Sequence, residues 1–498
     1  MKMMYNLCIN TCKVIGTALI GFIFILCIFN RSTMPMEWDE ISQITGQSIY
    51  FYISLVIFVA IIILAGKIIK KIPEKYLFAV FTLAYIIIGI YLIVNINGGL
   101  RADAASVYTA AKNINQGIYT DFLPSWGYIF LYPYQLGLAT YDRIIISFTD
   151  NIKVIFALNL LYVIDINYVI YKLSDLWFDR NEQINKYTIL FSFMFFPQLF
   201  FILFAYGTII GFCLTVNTVY FISKYIKNAK TKDAVISVVL ASLAVSVRNN
   251  YLIAVIALLI VCIVGFFNNK KLRYIAMAGL MVFALIVPSK IIIKSYEAKL
   301  NSDINTGIPK LLFVAMGLSD DGYKPGWYSQ LTLDQYLEAD CNEELATIRA
   351  KEIIKERIRV FNENKDYARY YFSYKIKSTW CEHTFQSLWS SALLLGESTT
   401  NTQLLKNIAT GGVVYKIINV ICNVIVTSII MFAAIYMIFI LNKKDIKEIL
   451  LFPIIYFIGG FLFHLIWETK SQYVYVYIFV LIPYAASAVY KVHHYLKK

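Results

Sequence analysis

Three short stretches of this 498-residue chain carry side chains able to do chemistry at a membrane surface. In GGLRADAASVYTAAKNINQGIYTDFLPSWGYIFLYPYQLG, Arg101 and Asp103 stand just beyond an apolar run. In GGFLFHLIWETKSQYVYVYIFVLIP, Glu468 and Lys470 lie between two apolar runs, and Arg248 sits between two shorter ones. An ionised group at the edge of a bilayer core is costly unless water or a partner meets it, so each is a candidate for function. A carboxylate there can take a proton from an attacking hydroxyl, and cations there can steady a developing anion. Each cation also has a plainer role: Arg101 anchoring a helix end, Arg248 snorkelling, Lys470 paired with Glu468.

The elements that must position these groups are membrane spans. The chain is 59% hydrophobic and 15% charged, with mean hydropathy +0.64. A soluble globule of that composition would expose far more apolar surface than it could bury, so the class is an all-α multi-pass membrane protein. Roughly 20 apolar residues cross a core about 30 Å thick, a ruler that gives about twelve spans. They fall at 13–30, 50–65, 76–94, 152–171, 187–206, 209–226, 234–247, 251–267, 274–293, 413–441, 449–467 and 473–490. Residues 248–250 read as a tight outer turn, the alternative being one long bent helix with a snorkelling arginine.

Lysines and arginines of short loops are retained on the cytoplasmic side. They cluster at Lys67, Lys70, Lys71 and Lys75, at Lys224, Lys227, Lys230 and Lys232, at Lys270, Lys271 and Arg273, at Lys443, Lys444 and Lys447, and at Lys491, Lys497 and Lys498. Both termini then lie inside. The division is an N-terminal hairpin at 1–75, a core at 76–293 with an outer loop at 97–150, an extracytoplasmic domain at 294–412 and C-terminal spans at 413–498. The net charge of +14 resides largely in those loops, which implies anionic lipid headgroups and no nucleic acid. Of eight cysteines, Cys341 and Cys381 fall outside, as a disulfide or as two free thiols. The first span is long and lacks a small-residue cleavage site, so it is expected to be retained. No Walker loop, nucleophile elbow or metal-ligand cysteine cluster is present.

The 97–150 segment resembles the first extracytoplasmic loop of the GT-C superfamily of integral membrane glycosyltransferases, near the family 39, protein O-mannosyltransferase-like bacterial branch. Asp103, Gly117, Tyr119, Tyr132, Pro133 and Gln135 match in order its acid, interfacial helix, Gly-aromatic turn and Tyr-Pro element. GIPKLLFVAMGLSDDGYKPGWY, KIKSTWCEHTFQSLWSS and WETKSQYVYVYIFVLIP resemble later segments of bacterial members. The resemblance implies a GT-C fold with an interfacial helix and a small outer soluble domain. It implies inverting transfer of a sugar from a polyprenyl-phosphate donor to an extracytoplasmic glycan or glycolipid acceptor, at the outer face of a bacterial plasma membrane.

On that reading Asp103 is the general base, and Arg101, Arg248 and Lys470 meet the lipid phosphate. Tyr132, Gln135 and Glu468 complete the substrate site, with His383 facing the acceptor. Trp327, Trp380 and Trp389 either stack on sugars or pack the outer domain. No cofactor is called for; a divalent cation is left open, because many members carry two adjacent carboxylates where Asp103 is followed by Ala104. The MEWDE stretch at 36–40 shows such a pair in Asp39 and Glu40, but a span follows too soon for an interfacial helix, which favours Asp103. The rival class is a transporter or flippase of lipid-linked sugars, with Asp103, Arg248 and Lys470 lining its path.

Overall fold

The computed structural model describes residues 2–97, 99–124, 127–320, 324–395, 400–439, 441 and 447–495. Lys443, Lys444, Lys497 and Lys498 lie outside them. Helices α1 (Lys2–Phe29) and α2 (Ile49–Ile69) are joined by antiparallel strands β1 (Asn30–Thr33) and β2 (Gln43–Gly46), with Asn30 opposite Gly46. After α3 (Glu74–Asn95) come α4 (Ala102–Asn115), α5 (Tyr128–Leu131) and α6 (Leu136–Ile146). The core continues through α7 (Ile152–Trp177), α8 (Glu182–Met194), α9 (Phe196–Phe200), α10 (Thr208–Asn228), α11 (Thr231–Val247), α12 (Leu252–Asn269) and α13 (Leu272–Leu300). Next are α14 (Lys310–Leu318), α15 (Leu331–Leu337), α16 (Glu343–Glu363), α17 (Lys365–Trp380) and α18 (Gln403–Ala409). The chain closes with α19 (Val413–Phe439), α20 (Phe452–Ile466), α21 (Ser471–Phe479) and α22 (Ile482–Tyr495).

Long apolar helices leave apolar side chains on the outside, as helices surrounded by lipid do. Ile53, Val56, Ile57 and Ile61 of α2, and Val80, Leu83, Ile87 and Ile90 of α3, are all exposed. Among the described residues nine helices are long and apolar enough to cross a membrane, or up to eleven if each of two bent pairs is one span. The difference from twelve is α11, a 17-residue helix at the lower end of the length that crosses a bilayer core. Extended backbone at Arg248 ends α11, and a 3-10 turn, Asn249–Tyr251, starts the next helix, so the two are separate.

The bends have a chemical cause. Pro197 cannot donate to the carbonyl of Phe193, and Tyr85 of α3 donates its hydroxyl to that carbonyl at 2.5 Å. The chain turns by 50° there, and by 48° between α21 and α22, where Pro483 follows. The two bends meet: Phe195 sits edge-on to Phe479 at 5.3 Å and stacks on Phe385 at 5.7 Å.

Polar contacts collect at the two ends of the helix bundle. At one end Glu74 accepts from Tyr171 at 2.7 Å and from Asn185 at 3.1 Å, Glu448 accepts from Asn269 at 2.7 Å, and Asp179 pairs with Lys447 at 2.5 Å. Lys67, Lys70, Lys71, Lys75, Lys227, Lys230, Lys270 and Lys271 fall in the loops and helix ends there. The opposite end carries β1 and β2, α4 to α6, and the helices of 301–412. Gly137 fits α6 there against the end of α11, because a Cβ would strike the Ser246 backbone. All eight cysteines are free thiols, Cys341 and Cys381 included.

Candidate functional site

Asp103 lies in the first turn of α4, at the positive end of the helix dipole. The residue before it, Ala102, takes φ +48, a left-handed conformation that costs an alanine about 1 kcal/mol or more and is found where surrounding structure enforces it. The Asp103 carboxylate is exposed and accepts from the Tyr206 hydroxyl at 3.2 Å. Gln135, in the 3-10 turn that Pro133 begins, donates its amide to the same phenol oxygen at 2.6 Å. Arg248 donates to Thr208 Oγ1 at 2.8 Å and to the Tyr206 carbonyl. Its guanidinium lies over the rings of Tyr206, at 4.7 Å, and Tyr473, at 5.7 Å. Residues from the first core loop, the α9–α10 turn and the α11–α12 turn thus form one constellation.

A second constellation adjoins it. Trp467 through Lys470 form the break between α20 and α21, so a short non-helical stretch presents both ionisable groups. Lys470 Nζ donates to Glu40 Oε2 at 2.8 Å, and Gln386 donates to Glu40 Oε1 at 2.9 Å. The Lys470 ammonium also lies over the Tyr328 ring at 4.9 Å. The direct partner of Lys470 is therefore Glu40, not the Glu468 two residues before it. Tyr132 joins the constellations, for it feels Asp103, Tyr328 and Glu468 together.

Arg101 stacks on Trp389 at 3.9 Å, donates to the Trp389 carbonyl at 2.6 Å and reaches Trp38 at 5.6 Å. His383 stands apart from these groups. It is buried, with Nδ1 against Asn423 Oδ1 at 2.8 Å and Nε2 against Cys27 Sγ at 3.4 Å. Partners on α1 and α19 hold it away from any acceptor on the surface. Trp327, Trp380 and Trp389 are buried too: Trp327 donates to Ser378 at 2.8 Å and Trp389 to the Glu37 carbonyl at 2.8 Å, so packing is their role here.

The electrostatics follow from charges kept out of water. Burial lifts the Glu468 carboxyl to about 7; Lys470 opposes this, and Glu40 and Asp103 add to it. Burial pulls Lys470 down, but Glu40, Glu468 and Asp103 more than offset it and hold the ammonium above the usual lysine value. Burial lowers Lys375 to about 7, where its ammonium donates to the carbonyls of Trp467, at 2.8 Å, and Gly317. Burial brings Arg101 down to about 10 against the pull of Glu40, and His383 to about 4. The Tyr206 and Tyr132 phenols are pushed up by burial and then by Asp103, so both remain hydrogen donors.

Glu40, Tyr206, Tyr328 and Gln386 belong to the site although motif reading did not select them. Glu40 lies in a loop with no room for an interfacial helix, yet the β1–β2 hairpin folds that loop over the 468–470 break. Tyr206 carried one weak signal, a polar aromatic residue followed by Gly207, which takes φ +71 at the start of α10. Among the described residues no three His, Cys, Asp or Glu side chains gather as a metal-binding set, and the groups bonded around Asp103 are a phenol and its amide partner. These residues do not make up a ligand set for a divalent cation. Comparison with family models, curated proteins and solved structures finds no match to this chain.

Proposed function

We propose that this membrane protein is a glycosyltransferase that moves a sugar from a polyprenyl phosphate to a hydroxyl of an envelope glycan or glycolipid at the outer face of a bacterial plasma membrane, within a GT-C fold. The observation that carries this reading is the convergence of Asp103 with Lys470 and Arg248, from three distant parts of the chain, at the bundle end opposite the basic loops. Sidedness follows from those loops under the positive-inside rule.

In the reaction Asp103 accepts the proton of the acceptor hydroxyl as its oxygen bonds to the anomeric carbon. The bond from that carbon to the phosphate oxygen breaks with inversion, and the electron pair leaves on the lipid phosphate. Lys470 and Arg248 steady that charge in a site from which water is partly excluded. Tyr206 and Gln135 hold the carboxylate in position. Glu40 keeps the Lys470 ammonium ordered before the donor arrives.

Bent helices favour the rival reading as a transporter, since broken spans are common at transport sites. Both bends here are packed by Phe195, Phe479 and Phe385, and Asp103, Arg248 and Lys470 lie together at one end of the bundle instead. The test is mass spectrometry of lipid-linked sugars and envelope polymers from cells with and without the gene. Loss of one sugar from a polymer or glycolipid, with its polyprenyl-phosphate form accumulating, is expected. An unchanged envelope sugar content overturns the proposal.

A further inference from the structure

A cavity of about 470 Å³ lies between β1, β2 and the start of α19. Arg31, Glu37, Tyr415, Lys416, Asn419 and Val420 line it. Arg31 donates to Thr45 Oγ1 at 3.1 Å, which fixes its side chain along the hairpin. Lys416 occupies the first turn of a 27-residue helix, where a lysine opposes the helix dipole and an anion would be favoured. Two cations against the one carboxylate of Glu37 leave the cavity one charge positive, before the dipole is counted. Directly below, Phe29, Ile49, Ile417 and Ile421 are exposed and apolar, and Tyr50 is exposed among them, the composition of a bilayer edge. The cavity thus carries net positive charge, and exposed apolar side chains continue from it along α19.

We propose that this cavity binds an anionic glycerophospholipid, its phosphodiester between Arg31 and Lys416 and an acyl chain along Ile417 and Ile421 of α19. A diester brings the single negative charge that the cavity lacks, whereas a terminal phosphomonoester near neutral pH brings closer to two. The site is separate from the Asp103 and Lys470 constellations and does not depend on the reaction proposed for them. A bound lipid there would brace the loop that delivers Glu40, since Glu37 also receives the Trp389 indole through its carbonyl.

The experiment is native mass spectrometry of the detergent-purified full chain, titrated separately with phosphatidylglycerol, phosphatidylcholine and undecaprenyl phosphate. Wild type is expected to retain phosphatidylglycerol in preference to the other two. The pair Arg31→Gln and Lys416→Gln should weaken that binding about tenfold or more, the scale expected for two headgroup cations. Glu37→Gln should tighten it, which supplies a test of opposite sign should the double variant not fold. Lys351→Gln with Lys355→Gln, exposed on α16, should leave it unchanged. Equal retention by wild type and the Arg31/Lys416 variant overturns the site, as does weaker binding in Glu37→Gln. Preferential retention of undecaprenyl phosphate overturns the assignment to a glycerophospholipid.

Discussion

Glu40 and Lys470, 430 residues apart, form an ion pair at 2.8 Å whose side chains are 9% and 13% exposed. A pair this dry is weak evidence of net stabilisation, but removing one member strands the other, at a cost of about 3–5 kcal/mol. Lys470→Met alone would therefore confuse a folding loss with a catalytic one. Glu40→Gln combined with Lys470→Met removes both charges and should restore most of the thermal stability that the single variant loses. Transfer should stay at least about tenfold down in both, as expected when a charge-assisted contact to the donor is gone. If the double variant recovers stability and transfer together, Lys470 serves the fold alone.

Glu468 predicts a pH dependence of stability. Its carboxyl titrates near 7 in the folded protein against 4.5 when unfolded, so between those values the folded state holds the extra proton. Stability then falls as pH rises from about 4.5 to 7 through this group, by on the order of 1–3 kcal/mol in total. Glu468→Gln should lack that slope and should gain on wild type across the window in thermal denaturation. Parallel curves for the two proteins from pH 4.5 to 7 would show that Glu468 is ionised in the fold throughout.

Gly317 tests how the 467–470 break is held. A Cβ at this position of α14 would overlap the backbone of residues 466–468. Gly317→Ala should therefore push that stretch off α14 and lower stability by about 1–3 kcal/mol, the usual cost of overpacking. Because Lys375 donates to the carbonyls of Gly317 and Trp467, the displacement should also shift the Glu468 titration. An unaltered melting temperature would mean that α14 does not seat the break.

The spans were legible because long apolar runs are conspicuous: nine of the twelve segments fall on helices long and apolar enough to cross a membrane, and two more on bent helix pairs. The α8–α9 bend was not, although Pro197 marks it: a proline shows where a helix loses a bond, while the repair by Tyr85 comes from another helix. Asp103, Arg248 and Lys470 could be selected because charge at a span edge is conspicuous in sequence, whereas neutral Gln135 is reached only through the resemblance around Tyr132 and Pro133. Glu40 shares that conspicuous charge, but the short loop that favours Asp103 over it is a local criterion blind to the hairpin that carries Glu40 across. His383 shows the reverse error. Its neighbours in sequence are polar, and its partners, Cys27 and Asn423, lie on spans.

Orientation can be read by labelling. In a cysteine-free background, Lys351→Cys on exposed α16 should react with an impermeant maleimide in intact cells. Lys227→Cys at the basic end should react only after permeabilisation. The reverse pattern would put the Asp103 cluster in the cytoplasm and remove the ground for an outer-face donor.

Asp103 carries the sharpest consequence. Asp103→Asn keeps the shape and an oxygen that accepts from Tyr206, so the bond at 3.2 Å and the fold should survive. The amide cannot take a proton, and transfer should fall by about 100-fold or more, the range for losing a general base. Donor binding should change little, since Lys470 and Arg248 remain. The same replacement at Asp39, in the exposed part of the first loop, should be mild. A transporter would also suffer from a neutralised acid, so the assay is transfer by purified protein in detergent, where there is no membrane to cross. Near wild-type transfer by Asp103→Asn alongside a dead Asp39→Asn would move the base to the first loop. Full transfer by both would end the case for Asp103 as the base.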